Sequence, residues 1–198
     1  MTSEAPVLYD VSNSVATITL NRPKALNSLT TEARVELLDA LRRAASDESA
    51  RVVVLTGEGR GFCVGQDLRE HAEQLASGGS GSTLSTVAEH YNPIAREIAR
   101  MPKPVVAAVN GVAAGAGAAF AFACDLRIAA DTAAVNLAFA GVALSCDSGA
   151  SWTLPRLVGA GRALDLLLRP RTISAAAVPC GSSTWSRSRT WRKPRMSS

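Results

Sequence analysis

Residues 102–130, PKPVVAAVNGVAAGAGAAFAFACDLRIAA, constrain this chain more than any other stretch. Pro102 and Pro104 exclude a helix interior at the start. Val105 to Val109 is an apolar, β-branched run of strand length, and Asn110-Gly111 signals a turn. Gly115-Ala116-Gly117 then opens a run of small residues ending at Cys124, with Phe120 and Phe122 as its only bulk. The segment reads as strand, turn, glycine-rich corner and short buried helix. Glycines at a helix start admit close approach to a backbone whose first N–H groups have no intrahelical partner. Such a corner suits an anion, or an oxygen that becomes one.

Other readings compete. From Val105 to Ala123 only Asn110 is strongly polar, which raises a membrane span; the Ala/Gly content and the central Asn-Gly turn oppose it. Gly115-x-Gly117 is also a fragment of a dinucleotide fingerprint, but Phe120 stands where the third glycine belongs. An Ala/Gly helix packed tightly for purely structural reasons stays open.

The chain has 198 residues, enough for one domain with a substantial core, and its 47% hydrophobic content is that of a globular protein. Cys63, Cys124, Cys146 and Cys180 are widely spaced, so reduced thiols in a cytoplasmic protein are expected. No apolar leader is visible beside Glu4 and Asp10. The net charge of +4 hides an asymmetry: residues 1–155 carry −4, and residues 156–198 carry +8. A basic end can address nucleic acid or an acidic membrane, but the body holds no nucleic-acid motif, so neither partner is expected.

Val7–Val11 and Val15–Leu20 read as a hairpin, and VATITL alternates as a half-buried strand does. Ser28 or Thr30 can cap a helix whose apolar face is Ala33, Leu37, Leu38, Leu41 and Ala45. RVVVLT, residues 51–56, reads as a strand buried on both faces. These alternations give an α/β fold with βαβ-type units.

After that strand, Gly57, Glu58, Gly59, Arg60 and Gly61 form a tight loop. Gly65-Gln66-Asp67 then starts a helix over 68–76. Parallel neighbouring strands bring this corner beside residues 115–117. Two backbone N–H groups aimed at one point form an oxyanion hole for a thioester or similar carbonyl.

Five segments occur in family order and at family distances: NRPKALNSL (21–29), GRGFCVGQDL (59–68), PKPVVAAVNGVAAGAGA (102–118), ACDLRIAA (123–130) and DSGASWTLPRLVG (147–159). On these the chain resembles the crotonase (enoyl-CoA hydratase/isomerase) superfamily over about residues 5–175. Within it, GFCxGQDL, YNP (91–93), NGVAAGAGA and DxGxxWxLPR resemble the branch that isomerises ring-epoxidised phenylacetyl-CoA. The resemblance implies a crotonase (ClpP-like) fold of repeated β-β-α units, an acyl-CoA thioester as substrate with no other cofactor or metal, and a homotrimer or hexamer. It implies oxyanion donors at the Gln66 and Ala116 amides, the latter usually a glycine in the family. It places Lys24, Ala25, Leu26, Asp67 and Leu68 along the CoA channel, and counts Gly115 and Gly117 among the substrate- and CoA-binding residues; Lys24 as a plain surface lysine is the alternative.

The two glutamates of the hydratases fall on Ala119 and Phe139, which transfer no proton. Asp147 remains in a position where several relatives keep a working aspartate. It suits moving one proton between two carbons or attacking a ring; capping the helix over 148–158 is the alternative. An isomerase is therefore favoured, with an enoyl-CoA hydratase or an inactive CoA-binding protein behind it. His71 and His90 read as structural or surface residues, and Ser77–Ser82 as a flexible linker. Residues 1–176 form the expected core. Residues 177–198 carry six Ser, five Lys/Arg and two Trp, and show neither helical nor strand period. They read as an aberrant or out-of-frame terminus that replaces trimer-forming helices, or else as a genuine basic tail.

Overall fold

A computed structural model describes residues 5–76, 83–174, 177 and 185–188. Two strands open the chain, β1 (Val7–Ser12) and β2 (Val15–Leu20), paired antiparallel across Asn13 and Ser14, both at positive φ. Helix α1 (Thr31–Ser46) follows, and the Thr30 side chain accepts from the Ala33 amide as its N-cap. Its inner face is Ala33, Leu37, Leu38, Leu41 and Ala44; Ala45 is only half-buried. Arg34 is buried on the same helix, which no apolar period announces.

Three β-β-α units come next. They are β3 (Val52–Gly57), β4 (Gly61–Cys63) and α2 (Leu68–Ala76); β5 (Val105–Val109), β6 (Val112–Ala114) and α5 (Ala116–Ala123); and β7 (Leu126–Ala130), β8 (Ala134–Asn136) and α6 (Ala150–Val158). Between the first two lie α3 (Thr83–Thr86), a π-helical turn (Val87–Tyr91) and α4 (Asn92–Ala99). Pro93 lacks an amide for the α ladder, and the Asn92 amide reaches back five residues to Val87. Helix α7 (Ala160–Leu168), β9 (Ile173–Ser174) and β10 (Trp185–Ser188) complete the described elements.

The first strand of each unit enters a six-stranded sheet, ordered β1-β2-β3-β5-β7-β10, and the second enters a four-stranded sheet, ordered β4-β6-β8-β9. Within each, β2, β3, β5, β7 and β10 run parallel, as do β4, β6 and β8. This is the α/β architecture of repeated β-β-α units. On β3 the face carrying Val53 and Leu55 is closed, whereas Val52 and Val54 are half-buried, so burial there is one-sided.

Strands β4 and β6 leave no mark in the sequence because three residues are too short to show a period. Residues 177–198 show no strand period either, yet residues 185–188 pair with β7 in register Trp185↔Arg127 to Ser188↔Ala130. A strand added at a sheet edge draws its pairing from the neighbouring backbone and needs no alternation of its own. The linker at 77–82, Cys180 and the rest of the last residues lie outside the described residues.

Candidate active site

The parallel pairing of β4 with β6, through Gly61↔Val112 and Cys63↔Ala113, sets two helix starts side by side. A Cβ built on Gly65 would stand 3.3 Å from the Ala116 nitrogen and 3.7 Å from the Gly115 Cα. The first corner is fixed from the opposite side. Leu29 donates to the Gly65 carbonyl at 2.8 Å, and Asp67 donates to the Leu29 carbonyl at 3.1 Å. In a parallel bridge the residue between those two groups turns its own N–H away, and that residue is Gln66.

Ala116 is the first residue of α5, so its amide has no partner inside the helix. Gly115 before it holds φ +51°, ψ −125°, which only glycine adopts readily, and donates to the Asn136 carbonyl at 3.0 Å. Among the described residues neither the Gln66 nor the Ala116 amide has a hydrogen-bond partner. A Cβ on Gly115 would meet nothing within 4 Å, so this corner borders open space. At Gly117 the reverse holds: a Cβ would lie 2.2 Å from the Cys63 carbonyl oxygen, so α5 sits directly on β4.

Asp67 is the first corner's anchor. Its Oδ2 accepts from Arg22 Nη1 and from Ser28 Oγ, both at 2.8 Å, while Oδ1 accepts the Arg69 and Glu70 amides of α2. Burial would raise the Asp67 pKa, but those donors outweigh it and bring the value down to about 2. Asp67 is thus an ion-paired helix cap, 8% exposed, whereas Leu68 beside it is exposed.

Lys24 and Ala25 lie in a 3-10 turn (Pro23–Ala25), and Leu26 and Asn27 follow at positive φ. Asn27 Nδ2 donates to the Glu58 and Gly61 carbonyls, which bolts this turn to the loop before β4. Leu26 packs against Gly61, where a Cβ would stand 3.2 Å from its own. Lys24 is exposed and forms no salt bridge among the described residues.

Asp147 lies in the loop before α6, half-buried, and its Oδ1 accepts from Ser148 Oγ at 2.7 Å. Burial pushes its carboxyl above the usual carboxylate range, and the Ser148 hydroxyl opposes only part of that. The Asp147 side chain does not cap α6, because the N-cap there is Gly149, at φ +77°, with no side-chain cap bond. Asp147 contributes only its backbone carbonyl, to the Ala150 amide. Ala119 and Phe139 are both buried and apolar.

His71 is half-buried on α2, and its amide donates to Asp67. His90 lies in the π-helical turn, and burial, then the Arg34 charge, hold it below its usual pKa. Sequence reasoning misses the pairing of Arg34 with Tyr91, each 2% exposed and hydrogen-bonded to each other. Two polar residues on separated helices give no shared sequence signal. Among the described residues no group of three His, Cys, Asp or Glu could hold a metal ion, and no helix is long and apolar enough to cross a membrane.

Comparison with known proteins places this arrangement. The sequence model of the enoyl-CoA hydratase/isomerase family matches residues 10–179. The chain belongs to that family. A 1,2-epoxyphenylacetyl-CoA isomerase of Escherichia coli (strain K12) is 43% identical over 85% of this chain and 64% of its own length. A 4-chlorobenzoyl coenzyme A dehalogenase of Arthrobacter sp is 37% identical over 87% of this chain and 62% of its own. The chain therefore spans a little under two thirds of the length of these curated relatives. Among solved structures, an enoyl-CoA hydratase from Mycobacterium avium subsp. paratuberculosis K-10 superposes with a TM-score of 0.80 at 34% identity, covering 95% of this chain and 73% of that one.

Proposed function

We propose that this chain isomerises an acyl-CoA thioester through an enolate, with ring-epoxidised phenylacetyl-CoA or an enoyl-CoA as substrate class. The observation that carries the reading is the pair of unpartnered amides, Gln66 and Ala116, on two corners so close that a Cβ on Gly65 would stand 3.3 Å from the Ala116 nitrogen. A thioester oxygen accepting from both gains electron density as a proton leaves the adjacent carbon. Each such donor is worth ~3 kcal/mol in the transition state.

Asp147 is the proposed acid/base. Its carboxylate takes a proton from one carbon, the electron pair moves to the thioester oxygen, and the proton returns to a different carbon. No electrons are gained or lost, so the step needs no redox partner. The raised Asp147 pKa makes it a better base than an ordinary carboxylate. The apolar Ala119 and Phe139 disfavour holding a water for hydration. Lys24, Ala25, Leu26 and Leu68 are assigned to the CoA channel, and Asp67, Gly115 and Gly117 to shaping the two corners. A cytoplasmic trimer or dimer of trimers is part of this proposal; exposed Val142, Leu144, Trp152, Leu164 and Leu168 support self-association, and light scattering tests its stoichiometry.

The experiment compares 3-enoyl-CoA isomerisation, epoxidised phenylacetyl-CoA isomerisation and crotonyl-CoA hydration. Asp147→Asn should lower isomerisation by about 10²- to 10⁴-fold. Equal rates in both proteins would remove Asp147 from the chemistry. Hydration as the faster reaction would favour the hydratase reading, which relatives such as (E)-benzylidenesuccinyl-CoA hydratase of Thauera aromatica keep in view. CoA binding without any turnover would mark an inactive binding protein.

A further inference from the structure

The proposed mechanism leaves one buried polar pair unused, Arg34 of α1 and Tyr91 at the end of the π-helical turn. Arg34 Nη1 donates to the Tyr91 phenol oxygen at 3.2 Å, and the guanidinium carbon stands 5.3 Å from the ring centre. Arg34 Nη2 donates to Thr31 Oγ1 at 2.7 Å and lies 3.6 Å from Glu70 Oε2. The guanidinium is thus fixed by α1 and α2, and it can only donate. The phenol oxygen spends a lone pair on it, so the Tyr91 O–H must turn elsewhere. Among the described residues none accepts that O–H.

Helix packing says where it points. Residues 91 and 95 are one turn apart on one face. Ala95 on that face touches the loop of Asp147, with its Cβ 4.0 Å from where a Gly149 Cβ would be. On its flank the Tyr91 ring tilts against Phe120 of α5, centroids 6.3 Å apart. Tyr91 therefore stands between the middle of α5 and the Asp147 loop.

We propose that Tyr91 is a positioning residue for Asp147: gripped from behind by Arg34, it turns its O–H toward the Asp147 carboxylate and orients it. Electrostatics agree with that placement. Burial pushes the Tyr91 phenol up to about 12, and Asp147 and Cys63 add to the rise while Arg34 opposes it. The other groups around the pair are Ser148 on the Asp147 loop, His90 and Glu89 on the π-helical turn, and Glu70 on α2. Ser148 Oγ already donates to Asp147 Oδ1, and the proposed Tyr91 contact adds a second hydroxyl to the same carboxylate.

This inference rests on Asp147 being the acid/base group, and its test needs no substrate. Protein labelled with ¹³C at aspartate Cγ and tyrosine Cζ is titrated by NMR, with Asp147→Asn and Tyr9→Phe assigning the signals. The chain's two tyrosines make the second assignment unambiguous. In the unmodified protein the Tyr91 Cζ signal should move with the Asp147 midpoint. Tyr91→Phe should raise that midpoint by about half a pH unit or more, because a donor to the charged form is lost. A Tyr91 signal flat through the Asp147 titration overturns the proposal, as does an unchanged midpoint in folded Tyr91→Phe. If that variant does not fold, the Cζ titration of the unmodified protein decides alone. Failure of Asp147→Asn to slow turnover would instead strike the proposed chemistry.

Discussion

Replacing Asp67 by Asn tests how firmly the corner at Gly65-Gln66-Asp67 is held. The side chain keeps its volume, and its oxygen can still cap α2. Its NH₂ must then face Arg22 Nη1 and Ser28 Oγ, two donors now 2.8 Å from Oδ2. The carboxylate side chain is 11% exposed, so solvent screens the ion pair less than on an open surface. Its folded pKa is about 2 against the usual 3.8, and each unit is worth 1.36 kcal/mol, so the interaction is worth about 2 kcal/mol. A depressed folded pKa gives stability that is complete above the unfolded value and lost as pH falls through about 2. Urea unfolding of both proteins at pH 7 should show a deficit of about 2 kcal/mol in Asp67→Asn, narrowing below about pH 4. A deficit under about 0.5 kcal/mol, or one that ignores pH, would refute the reasoning.

Three further outcomes are expected. Ala116→Pro removes one amide at the first helical position, where proline is tolerated, so thermal stability should change little while turnover falls at least about 100-fold. Unaltered turnover would show that this amide does not act. Gly117→Ala drives a methyl into the Cys63 carbonyl and should destabilise by about 2–3 kcal/mol in the same urea assay. Asp147 carries a raised folded pKa, so its ionised form opposes folding; Asp147→Asn should be more stable at pH 7, with the gain vanishing as pH falls below the usual 3.8.

Most of the architecture is legible in the sequence because long elements announce themselves. The hairpin, α1, α2, β3, β5 and α5 all carry a period, a cap or a turn signal. The two short strands that join the corners carry none. Gly61–Cys63 and Val112–Ala114 are defined by pairing with each other, which is a property of the folded sheet. The corners themselves are visible as glycine before helix, at Gly65 and Gly115, and both glycines hold positive φ. Asp147 draws attention by its place among the motifs, but sequence does not separate a cap from a reactive group. Gly149 takes the cap, because two successive left-handed residues, Ser148 and Gly149, turn the chain before α6 starts. Arg34 and Tyr91 stay hidden for the opposite reason. Charged and phenolic side chains at helical spacing normally signal a wet face, and only the packing of α1 against the π-helical turn and α4 buries them together.

The central claim is that two main-chain amides share one thioester oxygen. A crystal structure with a non-reactive acyl-CoA thioester measures this directly. The carbonyl oxygen should lie about 2.7–3.1 Å from both the Gln66 and the Ala116 nitrogens, with Asp147 facing the acyl carbons. A thioester oxygen bound to other groups, with either amide left unpaired, would contradict the account.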